Sequence, residues 1–187
     1  MRLILLFLLF PLLVIGAGCE NTPTVWFTGS SEGTFDTYRL YPAKVVIGNV
    51  SEKALVDTWT EDGYDKKFPD YRWAKGEPMT VNIHNGYPVA KTFKLVYEIV
   101  NHETVDKTTG LSYQPAPDEM YRWVTITATE VAIPANNIAH IPLSIKIPRQ
   151  KVLVLPERWE FRIKVFLTDT GEMITTDVSS RFLISMR

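Results

Sequence analysis

Trp159-Glu160-Phe161-Arg162-Ile163-Lys164-Val165-Phe166-Leu167 is the stretch that decides the fold. Trp159, Phe161, Ile163, Val165 and Leu167 occupy every second position, and Glu160, Arg162 and Lys164 fill most of the places between. Successive side chains of an extended chain point to opposite faces, so this spacing predicts a strand with one face in an apolar core and the other in water. A helix would instead need its apolar residues three and four apart.

Six further segments repeat the pattern. They carry Ala43, Val45 and Ile47; Met79, Val81 and Ile83; Phe93, Leu95, Tyr97 and Ile99; Val124, Ile126 and Ala128; Ile141, Leu143, Ile145 and Ile147; and Val178, Ser180, Phe182, Ile184 and Met186. Asn85-Gly86, Pro134-Ala135-Asn136-Asn137 and Asp169-Thr170-Gly171 read as tight turns or hairpin loops between them. Helical spacing is confined to Ser51–Trp59, where Leu55 and Trp59 lie four apart. Half-buried strands with hairpin-like links predict two antiparallel sheets packed face to face. The expectation is an all-β chain, an immunoglobulin-like antiparallel β-sandwich. A jelly roll or β-barrel, which needs one more strand, is the alternative.

Gly76-Glu77-Pro78-Met79-Thr80-Val81-Asn82-Ile83-His84-Asn85 resembles the opening strand of bacterial and archaeal immunoglobulin-like surface domains. Val131–Ala135 and Ile141–Pro148 resemble the later part of such a domain. The resemblance spans about Tyr41 to Arg187 and implies this fold and a place at the cell surface. It implies no ligand, and the disulfide of antibody domains has no counterpart.

Composition narrows the function. Of 187 residues, 45% are apolar and 22% charged, which excludes wholesale disorder. Lys and Arg number 20 against 21 Asp and Glu, a formal charge of −1 that gives no footprint for a nucleic-acid backbone. A single cysteine excludes an internal disulfide and a thiolate metal cluster.

The N-terminus reads as an export signal. Met1-Arg2 supplies a positive start, and Leu3–Ile15 is an apolar run of thirteen residues, short of the ~20 that span a bilayer. Pro11 further weakens a permanent membrane helix. Ile15-Gly16-Ala17-Gly18-Cys19 resembles the lipobox of bacterial lipoproteins, with Gly16 where that pattern usually has Leu. The resemblance implies that residues 1–18 are removed and that Cys19 is lipidated, tying the chain to membrane lipid. Ordinary signal cleavage nearby and an uncleaved anchor are the alternatives. Residues 19–37, rich in Thr, Ser and Gly, read as a tether, and residues 38–187 as the sandwich domain. Val25-Trp26-Phe27 interrupts the tether. These residues either dock on the domain or form an assembly segment that pairs with a partner or another copy.

No catalytic constellation is spelled out. His84, His102 and His140 are far apart in sequence, and no nucleophile elbow, P-loop or dinucleotide fingerprint occurs. The expectation is a non-enzyme without cofactor or metal. The richest segment is Asp57–Trp73, with Trp59, Tyr64, Phe68, Tyr71 and Trp73 among five acids. Aromatic faces beside carboxylates suit a sugar, clustered carboxylates suit Ca²⁺, and a plain loop pinned by its tryptophans needs neither. Trp59, Tyr64, Tyr71 and Trp73 are therefore the candidate contact residues. The connection Asn101–Met120 reads as a surface excursion, with room for a hairpin around Asp106–Gly110. Together these features predict an exported, membrane-tethered lipoprotein that contacts another surface protein or itself, or alternatively a carbohydrate-binding module using residues 57–73.

Overall fold

The computed structural model describes residues 24–28, 31–32, 38–48, 50, 54–64, 72–148, 155–168 and 179–186. In chain order its strands are β1 (Thr24–Thr28), β2 (Ser31–Glu32), β3 (Tyr38–Tyr41), β4 (Lys44–Gly48), β5 (Ala54–Val56), β6 (Gly63–Tyr64), β7 (Arg72–Trp73) and β8 (Thr80–Asn85). There follow β9 (Lys91–Ile99), β10 (Thr104–Val105), β11 (Ser112–Pro115), β12 (Val124–Ile126), β13 (Glu130–Ile133), β14 (Ile138–Ile147), β15 (Arg158–Leu167) and β16 (Ser179–Ser185). The one helix among the described residues is a 3₁₀ turn, Asp118–Arg122.

The strands form two large sheets. The first runs β1-β4-β16-β15-β9-β13, and β11 takes over the flank of β15 where β9 leaves it. The second runs β2-β3-β8-β14-β12, with β5 continuing the flank of β14 beyond β8. The neighbours β3-β8-β14-β12 and β9-β15-β16 reproduce the two strand sets of an immunoglobulin constant domain. The leading edge divides between the sheets: β3 pairs antiparallel with β8, and beyond Pro42-Ala43 the chain joins the other sheet as β4, parallel to β16. The protein is an immunoglobulin-like β-sandwich, and neither the jelly roll nor the barrel is formed.

The inward positions of both sheets make one core. Val45, Ile47, Phe161, Ile163, Phe182 and Ile184 meet Leu40, Val81, Ile83, Ile141, Leu143 and Ile145 across the gap. Phe161 and Phe182 stack with ring centroids 4.7 Å apart and planes 10° apart, and Trp159 meets Trp123 edge-on at 6.5 Å. Each such buried side chain contributes about 1.5–3 kcal/mol from apolar burial.

Several local expectations are corrected. Asn85-Gly86 is not a hairpin turn, because β8 and β9 lie in different sheets and residues 86–90 cross between them. Asn85 is buried instead. Its Nδ2 donates to the carbonyls of Val89 (3.0 Å), Ile133 (2.9 Å) and Pro134 (3.1 Å), tying two sheet crossings together. Pro134–Asn137 likewise carries the chain from β13 in one sheet to β14 in the other, with Asn136 at φ 55°. The helical spacing at Ser51–Trp59 is overridden by pairing, and Ala54–Val56 is a strand on β14. Within the expected tether, residues 24–28 and 31–32 are strands that add one edge to each sheet. Asp169-Thr170-Gly171 and Val178 lie outside the described residues.

Candidate functional site

The aromatic excursion is anchored rather than open. Trp59 is only 3% exposed and belongs to the core, and its ring lies 6.0 Å from that of half-buried Trp73 at 42°. Gly63 in β6 pairs with Trp73 in β7, and a Cβ there would stand 2.4 Å from the indole Nε1. Only glycine lets the indole lie so close. Tyr64 is exposed, and Tyr71 lies outside the described residues. A cavity of about 770 Å³ opens here between Tyr64, Arg72, Trp73 and the carboxylates of Asp62 and Glu77. Both acids already accept backbone hydrogen bonds, Asp62 from Lys75 N and Glu77 from Ala74 N, each at 2.7 Å. The geometry thus brings Trp59 and Trp73 together, turns Tyr64 and Trp73 toward the cleft, and commits Asp62, one of the five acids, and Glu77 beyond them to the turn. Among the described residues no three His, Cys, Asp or Glu side chains gather as a metal site.

The outer face of the first sheet holds a feature the sequence did not announce. The β10–β11 hairpin lies across β15, β16 and β4, and Tyr113 packs on Val46 and Leu183 beneath it. Glu160, in the alternation a solvent-facing residue, is completely buried. Arg181 holds it with two bonds (Nε–Oε1 2.8 Å, Nη2–Oε2 2.7 Å), Arg162 with a third (2.9 Å), and the Thr104 hydroxyl with a fourth. At the other end of the hairpin Asp106 accepts from Lys44 Nζ and the Thr109 hydroxyl, both at 2.9 Å. Burial pushes the Glu160 and Asp106 carboxyls up, but these donors overcome it and hold both below the usual carboxylate range. The cluster is a fastening for the hairpin, with its charges mutually satisfied.

His84 and His140 lie on the paired strands β8 and β14, diagonal to each other on one face, while His102 lies elsewhere. Burial, then the Arg39 charge, lowers His84 from its ordinary value. His140 Nδ1 sits 2.8 Å from Asn82 Oδ1, and His102 lies exposed beside Asn101.

The sheet edges differ in kind. Tyr97 Oη donates to Val124 O (3.1 Å), a side-chain bridge between β9 in one sheet and β12 in the other. Among the described residues the outermost strands are two-residue β2 and β10, three-residue β5 and β12, four-residue β13 beginning with Glu130, and five-residue β1. Only β1, Thr-Val-Trp-Phe-Thr, combines this length with no charge and no proline. It places Val25, Trp26 and Phe27 in register with Ile47, Val46 and Val45 of β4, and among the described residues β1 pairs with nothing else.

No protein-family profile and no curated protein matches the chain. Among solved structures it is similar to PapD-like domain 7 of human CEP192, at TM-score 0.42 and 4% identity over 80% of this chain and 84% of that one. It is similar also to WR4, an MSP family member of C. elegans (TM-score 0.38, 9% identity, 80% and 98%). A third similar structure is the class 5 fimbriae chaperone CfaA (TM-score 0.39, 12% identity, 79% and 54%). Likeness at this level is one of outline, and the fold rests on the strand order itself.

Proposed function

We propose that the chain is an exported lipoprotein, anchored through Cys19, whose sandwich binds another protein by accepting a strand on the free edge of β1. The observation that carries this is the character of that edge. In an antiparallel pair alternate residues turn N–H and C=O groups away from the partner, so among the described residues one flank of β1 is an unused hydrogen-bonding template. Proteins blunt such edges with charge, proline or brevity, and β1 has none of these. Strand addition takes affinity from main-chain bonds and tolerates varied partners, a second copy of this chain included. The role is non-catalytic: the buried charges Glu160, Arg181, Lys44 and Asp106 fasten the β10–β11 hairpin, and Asp62 and Glu77 brace the turn beside Trp73.

The test is a doubly charged edge, Thr24→Lys with Thr28→Lys, in the full chain. Circular dichroism should be unchanged, while a partner cross-linked to the native chain in membranes should be lost. Undiminished cross-linking to the variant would refute the edge as the contact. The carbohydrate-binding alternative has the cleft at Tyr64 and Trp73 in its favour. Glycan binding lost in Tyr64→Ala with the edge variant unaffected would favour it.

A further inference from the structure

We infer that the sandwich stands end-on at the membrane, with the pole formed by Glu157, Arg158 and Ser185 facing the lipid and residue Ala90 at the far end. The inference rests on the lipoprotein reading above and adds an orientation to it.

Its basis is the position of β1. With residues 19–37 as a free tether the domain would wander tens of ångströms from its anchor. Pairing fixes Thr24 opposite Gly48, so only Glu20, Asn21, Thr22 and Pro23 separate the docked strand from Cys19. Whatever their conformation, five residue steps reach at most ~18 Å. Gly48 lies at the end of β4 where Val50 N bonds to Ser185 O, and Ser185 pairs with Arg158. One step further Met186 N bonds to Glu157 O. Thr24, Ser185 and Glu157 therefore share one end of the first sheet. β15 then runs nine residue steps away from it, about 30 Å, to Leu167 opposite Phe93, close to exposed Ala90. The leash keeps the Thr24 pole within ~18 Å of the anchor at all times, whereas the far pole is free to swing outward by the length of the strand. The β1 edge, rising from the anchored pole, is offered to partners that are themselves at the membrane.

Native Cys19 is the chain's single thiol and is blocked once acylated, so one introduced cysteine reports position. Full-length Glu157→Cys and Ala90→Cys variants are reacted in intact membranes and after detergent extraction with a maleimide bearing a bulky polyethylene glycol. Labelling at 157 should be slowed several-fold by the membrane and labelling at 90 should not. A sixteen-residue Gly/Ser insertion after Asn21 should abolish the difference. Equal labelling at the two sites, with alkynyl fatty acid incorporated at Cys19, would overturn the orientation and leave the lipoprotein reading standing. Failure of fatty-acid incorporation, or its persistence in Cys19→Ala, would overturn both.

Discussion

Glu160 and Arg181 meet as a fork on the outer face of the first sheet, Nε to Oε1 at 2.8 Å and Nη2 to Oε2 at 2.7 Å, with the carboxylate completely buried. Such two-pronged pairs are stronger than single ion pairs because both oxygens are satisfied in a fixed plane. Here the pair also meets Thr104, so it fastens the covering hairpin as well as joining β15 to β16.

Breaking that fork should be costly. Glu160→Gln keeps the volume but leaves the two guanidinium groups without their counter-charge. Removing one partner of a buried pair costs roughly 3–5 kcal/mol, and the partial exposure of Arg162 and Arg181 places the expected loss toward the lower end. Urea unfolding should show the loss as a lower midpoint. A midpoint equal to wild type would show that the hairpin does not depend on the Glu160 charge.

Acid should weaken the fold through the same groups. The folded carboxyls of Glu160 and Asp106 lie below their ordinary values of 4.5 and 3.8. A depressed carboxyl contributes stability that is fully present above its unfolded value and lost as pH falls through its folded one. Stability should therefore decline below about pH 4.5, and Glu160→Gln with Asp106→Asn should flatten that decline. Unfolding measured at stepped pH decides it, and an equally steep decline in the double variant would contradict it.

Asn85→Ala should cost about 1–3 kcal/mol, because three carbonyls lose their buried donor at once. Amide exchange should quicken in residues 86–90 and 133–137 together. Faster exchange in one crossing alone would show that the two are fastened separately.

Gly63→Ala should displace the Trp73 indole, which leaves no room for a methyl group. Overpacking of this kind costs about 1–3 kcal/mol, and the expected signature is altered tryptophan fluorescence with the sandwich intact by circular dichroism. Unchanged emission would mean that the hairpin yields elsewhere.

What the sequence disclosed, and what it hid, follows from what alternation measures. The period of two in Trp159–Leu167 and Phe93–Ile99 reports which side of a strand is apolar, and it placed Phe161, Ile163 and Leu95 in the core correctly. It says nothing of a second layer laid on the other side. Glu160 and Lys44 therefore read as wet, and their covering hairpin comes from elsewhere in the chain: Lys44 and Asp106 are 62 positions apart. Val46 and Leu183 were the available hints, apolar residues on a face that alternation assigns to water. Turn residues likewise mark reversals without saying which sheet the chain reaches next, so Asn85-Gly86 passed for a hairpin. In the excursion, aromatic richness located a cleft beside Tyr64 and Trp73 but could not show that Trp59 is spent on the core.

The most direct test of the whole account is the mass of the mature N-terminus, taken from chain extracted from membranes with detergent. The account predicts a polypeptide beginning at Cys19 and heavier than its sequence by a diacylglyceryl group. A chain that retains residues 1–18, or that begins near Cys19 with an unmodified thiol, would contradict it.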